Sequence, residues 1–322
     1  MKKLLIAFLL IPACFVSQVI AETGDGGYAG SFLQVGLSAR AVGMGQAYYG
    51  VSDDASAIFY NPAGSVFELK KRVGFSYRVM DMDRKLGYAS IDIPARGEAT
   101  ISFGWIFRGV GSIVERNELG DPGDNLDDSE NALMIGFSRR FSRYVAVGGT
   151  GKYMFANLAG VKSNTVSFDV GTYVKLSKGE GLDEDSKLDF VRFGLVVANL
   201  GARYIWTTGD YWATRGELGD SRTDDFPILI GGGVSVMGLN KKLLVAVDAR
   251  KYQWQSISLH AGTEYALSDI FKLRTGLDGF HPTFGGAVTK RLDSYDLQLN
   301  YAFSASKAGE RSDHIFSVGI TF

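Results

Sequence analysis

Side chains capable of chemistry are few and widely spaced in this sequence of 322 residues. The three histidines are His260, His281 and His314, and spacing alone shows no catalytic set of histidine with serine or aspartate, as a nucleophile and its base require. Cys14 is the single cysteine, which excludes disulfide frameworks, cysteine-based zinc sites and redox pairs. The sequence therefore predicts a protein that is not an enzyme and that uses no cofactor or metal.

Two short motifs resemble ligand sites but have simpler interpretations. The acidic run 121–130 contains enough oxygen ligands for calcium but lacks the spacing of a defined calcium loop, so a solvated loop is favoured and calcium binding stays open. The run 43–45 (GMG) has neither the following lysine nor the preceding strand of a phosphate-binding loop. Neither motif predicts a site.

Arg40 is the residue for which the sequence predicts a definite interaction. It stands among the small residues of the run 37–47, which must be buried if this stretch folds. A buried guanidinium needs a partner, and Asp53 and Asp54 are the nearest acids in the sequence. We expect an Arg40–Asp53 or Arg40–Asp54 ion pair that holds the surrounding segment shut.

Further cations recur on the polar faces of the strands described below. They could line a pore, or they could pair with acids on other strands and with the N-terminal segment, and both interpretations stay open. The cations are Arg72, Arg78, Arg108, Lys152, Lys175, Arg192, Lys272 and Arg274. The candidate acids are Asp169, Asp248, Asp278 and Asp296.

The elements that position these residues are strands. From residue 72 onward apolar and polar residues alternate with period two, most clearly over 295–303 and 316–322. Strands are predicted at 72–80, 84–94, 98–108, 130–140, 143–157, 163–176, 189–199, 226–236, 241–250, 255–265, 270–279, 283–291, 294–303 and 312–322. About fourteen strands is an even number within the range of outer-membrane barrels.

A soluble two-sheet sandwich would show the same alternation, but three features favour a barrel. Long loops at 109–129, 200–225 and 304–311 fall on one side of the barrel and short turns on the other, although the segment 177–188 breaks this rule. Aromatic residues gather near strand ends, where lipid headgroups would lie. They are Tyr77, Tyr88, Tyr265, Tyr295, Phe303 and Phe322. The last strand ends on Phe322, which is typical of the signal read by the barrel assembly machinery, a predicted partner.

The fold class predicted is therefore all-β. We expect an antiparallel transmembrane β-barrel of about fourteen strands, surrounded by outer-membrane lipid, with a small N-terminal plug. A lumen this wide cannot be filled by side chains alone, so the segment before the first strand is the natural plug.

Residues 1–21 have the pattern of an export signal, in which Lys2 and Lys3 precede a short apolar run. Cleavage is expected after Ala21, and lipoprotein processing at Cys14 is the less favoured alternative. The 34 Lys and Arg nearly balance the 35 Asp and Glu, which excludes a nucleic-acid partner. The predicted domains are a signal peptide at 1–21, a plug or hatch at 22–70 and a barrel at 71–322, in the outer membrane of a diderm bacterium.

The predicted plug contains two helical stretches. One lies near 37–47, and the other follows Ser52, which has the features of an N-cap with two acids in the first turn. The run 61–64 (NPAG) ends this second helix, and its glycine permits an unusual backbone conformation. The residues expected to shape the plug are Gly36, Arg40, Gly43, Met44, Gly45, Asp53, Asp54, Asn61, Pro62 and Gly64.

The runs 30–45 (GSFLQVGLSARAVGMG), 53–57 (DDASA) and 61–64 (NPAG) together resemble the opening signature of the PorV/PorQ family, and 199–201 (NLG) is also similar. That family belongs with the FadL-like outer-membrane barrels. The resemblance implies fourteen strands and an N-terminal hatch. It also implies a role in type IX secretion, with exported cargo proteins as partners, because the best-known members serve that system, whereas FadL itself passes long-chain fatty acids.

Two functions follow. The predicted function is protein export or surface assembly of the type IX kind, and the alternative is transport of a hydrophobic ligand such as a long-chain fatty acid. Transport needs an apolar pocket against the plug, for which Ile106, Val196 and Leu229 are candidate linings. Cargo docking needs an outward surface on the long loops, for which the exposed candidates are Tyr204, Trp206, Tyr211 and Trp212.

Overall fold

A computed structural model of the chain describes residues 28–111, 113–117, 119–209, 219–305 and 312–322. Fourteen of its strands form a closed antiparallel β-barrel. They are β1 (Arg72–Val79), β2 (Arg84–Ala95), β3 (Ala99–Val110), β4 (Asp128–Arg140), β5 (Val145–Leu158), β6 (Val161–Lys178), β7 (Leu188–Leu200), β8 (Leu229–Gly238), β9 (Leu243–Tyr252), β10 (Ile257–Ala266), β11 (Phe271–Asp278), β12 (His281–Arg291), β13 (Asp296–Ser304) and β14 (Asp313–Thr321). The expected export signal at 1–21 lies outside the described residues.

The barrel closes through its first and last strands. Along their whole length β1 and β14 pair in antiparallel register, from Arg72 opposite Thr321 to Val79 opposite His314. Each of the fourteen predicted strands corresponds to one observed strand, so the predicted fold class is confirmed. The largest difference in a strand's first residue is at β8, which begins at Leu229 rather than at 226.

Side chains alternate between the two faces of the wall, as the period of two requires. On β4 the outward residues Leu133, Ile135 and Phe137 are about half exposed, whereas the intervening Ala132 and Met134 are buried. An apolar outer face and a closed sheet are what a hydrocarbon environment demands, because lipid offers no partner for a free strand edge. Among the described residues, no helix is both long and apolar enough to span a bilayer.

The aromatic residues near strand ends divide into two groups. Tyr77, Tyr295 and Phe322 are exposed on the outer face, as a headgroup belt requires. The same interpretation is wrong for Tyr88, which is buried and points into the lumen. Alternation places it there, since its neighbours in β2, Ala89 and Gly87, occupy the other face.

One end of the barrel carries two hairpins that were expected as loops without strands. Residues 113–116 pair with 122–126, and residues 203–207 pair with 221–225. We call this end, with both hairpins, the outer end, and the opposite end with its short turns the inner end. The segment 177–188, which broke the loop-length rule, adds a two-residue strand at Gly181–Leu182 that pairs with β6. Of the third predicted long loop, residues 306–311 lie outside the described residues.

Residues 28–71 precede β1 and are here called the luminal segment; residues 68–71 are exposed, whereas most of residues 30–66 are buried inside the barrel. They contain two short α-helices, α1 (Ala39–Gly43) and α2 (Ala57–Tyr60), and two 3-10 turns at Ser31–Leu33 and Pro62–Val66. Their small side chains allow the segment to approach the wall closely. Gly45 has a left-handed backbone (φ 62°), and a side chain there would overlap the backbone of Leu277 in β11.

The expectation that Ser52 caps a helix is wrong. The helix α2 begins at Ala57, after Ser56, and its first turn contains no acid. The Ser52 hydroxyl instead donates to the Tyr48 carbonyl oxygen (2.7 Å). The Asp53 side chain pairs with Arg40 and Arg192, as described below, whereas Oδ1 of Asp54 accepts from the N–H (2.9 Å) and the hydroxyl (2.5 Å) of Ser56, the residue before α2.

The run 61–64 does end α2, but its glycine acts differently from the expectation. Asn61 caps the following turn by accepting from the Ala63 N–H (3.2 Å), and Pro62 takes the first helical position. Gly64 lies outside the left-handed region. A side chain at Gly64 would overlap the backbone of Ser52, so close approach explains the glycine.

Candidate functional site

The interface between the luminal segment and the barrel wall is the candidate functional site. Its inner part is built around Arg40 on α1. Nη1 of Arg40 lies 2.5 Å from Oδ1 of Asp53 and 3.7 Å from Oδ2 of Asp54, and Nε lies 3.0 Å from Oε2 of Glu264 on β10. Nη1 of Arg192 on β7 lies 2.7 Å from the other oxygen of Asp53. Both acids considered from the sequence are therefore close to Arg40, and two wall residues complete the group.

These four residues, Arg40, Asp53, Arg192 and Glu264, are here called the Arg40 cluster. Burial alone would raise the pKa of the Asp53 carboxyl, but Arg40 and Arg192 hold it well below its usual range. Burial likewise works against the charged Arg40 guanidinium, yet Asp53 and Glu264 keep its pKa above its usual value. All members are thus charged and paired, as a desolvated ionic group must be.

The backbone of the luminal segment is also bonded to the wall. A carboxylate oxygen of Asp248 on β9 accepts from two successive N–H groups, those of Tyr48 (2.5 Å) and Tyr49 (2.7 Å). The side-chain amide of Asn61 donates to the Thr172 carbonyl oxygen on β6 (3.0 Å). These bonds fix the middle of the segment from two sides of the barrel.

A third group joins Gln46 to strands β9, β10 and β11. The Gln46 side chain donates to Asp278 (2.6 Å), and Asp278 lies 3.0 Å from His260 and 3.4 Å from Nη2 of Arg250. His260 also contacts the carbonyl oxygen of Gly45 (3.1 Å). The buried histidine thus belongs to a polar contact network between segment and wall.

The lumen-facing cations pair with acids or contact the segment. The ion pairs are Arg72–Asp92 (3.0 Å), Arg78–Asp313, Arg108–Asp128 (2.5 Å), Lys152–Asp169 (2.8 Å), Arg192–Asp53 (2.7 Å), Lys272–Glu264 (3.6 Å) and Arg274–Glu264 (2.6 Å). Lys175 lies over the Phe190 ring (5.4 Å). Of the two interpretations left open, pairing with acids describes these cations except Lys175, which also lies over the Phe67 ring of the luminal segment (5.9 Å). Asp296 differs from its expected role, because it pairs with the exposed Arg291 at the inner end (3.2 Å).

The other residues expected to shape the plug also face the wall or the segment itself. The carbonyl oxygen of Gly36 accepts from Arg78 (2.9 Å), and Gly43 packs against Gly285 on β12. Met44 is fully buried beside Gly45.

Apolar contacts dominate the outer part of the interface. Phe32, Leu33 and Leu37 are buried against Ile106 and other residues of β2 to β5. A second apolar cluster surrounds Tyr49, and its members include Val196 and Leu229. The three residues that the sequence offered as pocket linings, Ile106, Val196 and Leu229, therefore all face inward and are buried.

Two cavities meet at Asn199, near the outer end of β7. The interior one has a volume of about 20 Å³ and lies between Leu33, Tyr49 and Leu229. The outer one, about 360 Å³, has a mixed lining, in which the apolar Phe226, Ile228 and Trp254 lie beside polar residues such as Arg203 and Asp225. Asn199 lines both cavities, and the register between β7 and β6 shifts between Val197 and Leu200.

A third cavity opens at the inner end of the barrel. It has a volume of about 430 Å³ and is polar, with Arg40, Asp53, Glu68 and Lys272 among its lining residues. Two members of the Arg40 cluster, Arg40 and Asp53, therefore line this opening at the inner end.

The aromatic docking surface expected on the loop 200–225 is partly wrong. Tyr204 is buried beneath Phe226 (ring centroids 4.8 Å apart), and Trp206 is only partly exposed against Tyr204. The hairpin turns into the barrel mouth because Ser163 on β6 binds both the N–H and the carbonyl oxygen of Ile205 (3.0 Å each). Tyr211 and Trp212 lie outside the described residues.

The acidic run 121–130 forms the end of one outer hairpin and the start of β4. In the parts of the chain that the structure describes, no three His, Cys, Asp or Glu side chains gather as a metal site would need. Asp128 there pairs with Arg108, and Asn117 Oδ1 accepts from the Asp121 N–H (2.9 Å).

No protein-family model matches the sequence, and no curated protein matches it. Solved structures share the fold. The CymD monoaromatic hydrocarbon channel aligns with a TM-score of 0.57 at 13% identity, covering 89% of this chain and 97% of its own. The toluene transporter TodX of Pseudomonas putida aligns with a TM-score of 0.54 at 14% identity, covering 83% of this chain and 93% of its own. A FadL homologue of Pseudomonas aeruginosa aligns with a TM-score of 0.56 at 12% identity, covering 87% of this chain and 97% of its own. The chain thus has the fold of FadL-like outer-membrane channels, and the resemblance to PorV/PorQ remains a prediction.

Proposed function

We propose that this protein passes small hydrophobic molecules across the outer membrane of a diderm bacterium. The observation that carries the proposal is the outer cavity, where Phe226, Ile228 and Trp254 offer apolar surface to a solute and which shares Asn199 with the interior cavity. The buried apolar cluster beneath it continues along the luminal segment. The names of the similar structures, a monoaromatic hydrocarbon channel and a toluene transporter, support the same class of solute.

Residues 22–70 are proposed to be the plug of this pathway, and the Arg40 cluster its latch. The described part, from residue 28, occupies the lumen and is bonded to the wall on several sides. The interior cavity has room for about one water, so a solute can pass only if part of the segment moves.

The alternative of cargo docking for type IX secretion has less support. It rests on the resemblance to PorV/PorQ, and it requires outward aromatic anchors on the long loops. Tyr204 and Trp206 pack toward the mouth instead. We therefore take solute transport as the function.

The test is entry of naphthalene into cells that carry the protein in their outer membrane. Ile228→Trp should fill the outer cavity and reduce entry to the level of cells without the protein. Ile230→Trp is the matched control, because Ile230 lies two residues further along on the lipid face and is 53% exposed. Equal entry with and without the wild-type protein would refute the proposed function.

Phe322 is proposed to be read by the barrel assembly machinery. It follows β14, and its N–H donates to the Lys71 carbonyl oxygen (2.9 Å) next to β1. Phe322→Ala should lower the amount of heat-modifiable barrel in the membrane while synthesis continues. Unchanged membrane levels would count against this role.

A further inference from the structure

The cations beside the interior cavity and the outer cavity are neutralised by carboxylates. Beside the interior cavity, Nζ of Lys152 lies 2.8 Å from Oδ1 of Asp169, and Arg250 lies 3.4 Å from Asp278. In the outer cavity Nε of Arg203 lies 2.7 Å from Oδ1 of Asp225. Among the described lining residues, each positive charge therefore has a negative partner.

Lys152 and Asp169 form the most enclosed of these pairs, at 3% and 4% exposure. Both residues contact Asn199, which lines the interior cavity and the outer cavity. Nζ of Lys152 donates to Oδ1 of Asn199 (2.7 Å), and Oδ1 of Asp169 accepts from its N–H (2.9 Å). A solute that moves between the cavities must pass beside this pair.

A hydrophobic carboxylate gains little here from the cations. Its charge must leave water, and that cost is recovered only when an uncompensated cation meets it. The Lys152 ammonium is already paired with Asp169, so an entering carboxylate would meet an ion pair with no net charge. An uncharged ring or alkyl chain has no such cost and gains from burial of apolar surface.

The charges of the hairpin beside the outer cavity are also paired. Besides the Arg203–Asp225 pair, Nε of Arg222 lies 3.3 Å from Oδ1 of Asp224. A carboxylate that enters at the outer mouth therefore meets paired charges there as well.

We infer that the pathway selects uncharged hydrophobic molecules over hydrophobic carboxylates, and that Asp169 sets this preference by neutralising Lys152. The inference rests on the proposed transport function and gives its substrate class. The fatty acid offered as an example from the sequence would then be a poor substrate.

The test compares two probes that share one ring system, naphthalene and 2-naphthoate, bound to the full chain in nanodiscs. Binding is corrected for partition into empty nanodiscs. The wild-type protein should bind naphthalene at least about tenfold more tightly, since a charged hydrogen bond that cannot form is worth about that factor.

Asp169→Asn keeps an oxygen that can accept from the Asn199 N–H but frees the Lys152 charge. It should shift the ratio toward 2-naphthoate by about tenfold. Lys152→Met should shift it the other way, because Asp169 is then unpaired, and the double variant should restore the wild-type ratio. Asp313→Asn is the matched control, since it removes the carboxylate that pairs with Arg78, away from both cavities.

The outcomes separate this inference from the transport proposal. If the wild-type protein binds neither probe, the proposed function fails. If it binds naphthalene but binds 2-naphthoate equally well, the selectivity inference is overturned. If neither single variant alters the ratio in a barrel that remains heat-modifiable, Asp169 does not set the preference.

Discussion

The inner and outer parts of the luminal segment are held to the same wall by different forces. Residues 38–66 contain Arg40, Asp53 and Asp54, and they are joined to the wall by ion pairs and by bonds such as those of Asp248. Residues 28–37 contain no charged side chain, and they are held by buried Phe32, Leu33 and Leu37 together with hydrogen bonds at their end, such as that from Arg78 to the Gly36 carbonyl oxygen.

The difference indicates which part can move. Apolar packing is non-directional, so Phe32 and Leu33 can exchange one apolar neighbour for another, or for a solute, at small cost. An ionic group buried with its partners cannot move away without leaving charges unpaired. We therefore expect the outer part to yield to a solute while the inner part keeps the lumen closed to water-soluble molecules.

The largest effect is expected for Arg40→Ala. It leaves Asp53 and Glu264 with fewer positive partners, and loss of one partner of a buried pair costs about 3–5 kcal/mol. The luminal segment should loosen while the barrel stays heat-modifiable, and cells should admit more vancomycin.

Arg291→Ala is the control for that variant, because Arg291 pairs with Asp296 at an exposed site and should leave antibiotic entry unchanged. Unchanged vancomycin entry in Arg40→Ala would mean that the Arg40 cluster is not a latch.

Leu33→Ala should have a smaller effect of another kind. Replacing a buried leucine by alanine lowers the free energy of unfolding by about 2 kcal/mol where the neighbouring side chains can relax into the space, which is the low end of the usual range. Hydrogen exchange should accelerate over residues 28–37 but not over 38–66, and naphthalene entry should rise without vancomycin entry. Leu69→Ala, at an exposed leucine, is the control. Faster exchange throughout both parts would show that they move as one body.

Trp254→Ala tests the outermost contact of the segment. The Tyr28 and Trp254 rings stack with centroids 5.4 Å apart, and Trp254 is half exposed. Such a pair contributes about 0.5–1 kcal/mol, so exchange should accelerate only near residue 28. An effect that reaches α1 would contradict a loosely held outer part.

The smallest effect is expected for mild acid. Because the pKa of Asp53 is lowered in the folded protein, its contribution to stability is complete above the unfolded value of about 3.9 and is lost as pH falls toward the lower folded value. Protection of residues 38–66 against hydrogen exchange, measured relative to the intrinsic amide exchange rate at each pH, and exclusion of vancomycin should be equal at about pH 7.5 and about pH 5. A loss of exclusion already at about pH 5 would assign the latch to a different group.

The strands were predictable to within a few residues, and most luminal residues were predictable with them. Alternation identified Lys152, Arg192 and Arg274 as inward, because successive side chains of a strand point to opposite faces. It could not predict that Tyr204 is buried, since the hairpin that carries this residue is held at the mouth by Ser163 on the neighbouring strand β6, 42 residues away from Ile205 in the sequence.

The Arg40 cluster, too, was predictable from the sequence only in part. The sequence indicated that Arg40 needs a partner and that Asp53 and Asp54 were near, since a buried guanidinium cannot remain unpaired. Glu264 and Asp248 were missed as partners of the segment, and their positions on the polar faces of β10 and β9 were the available signal. Nothing in the spacing relates residue 40 to residue 264.

The sequence by itself determined which side chains face lipid and which face the lumen, because the period of a strand depends on local backbone geometry alone. Only the tertiary structure decided which luminal groups meet. Closure of β1 on β14 sets the distances across the lumen, and the path of residues 28–71 inside it brings Arg40 to Glu264 and Tyr48 to Asp248. Those contacts join residues more than a hundred positions apart, and local patterns carry no information over that range.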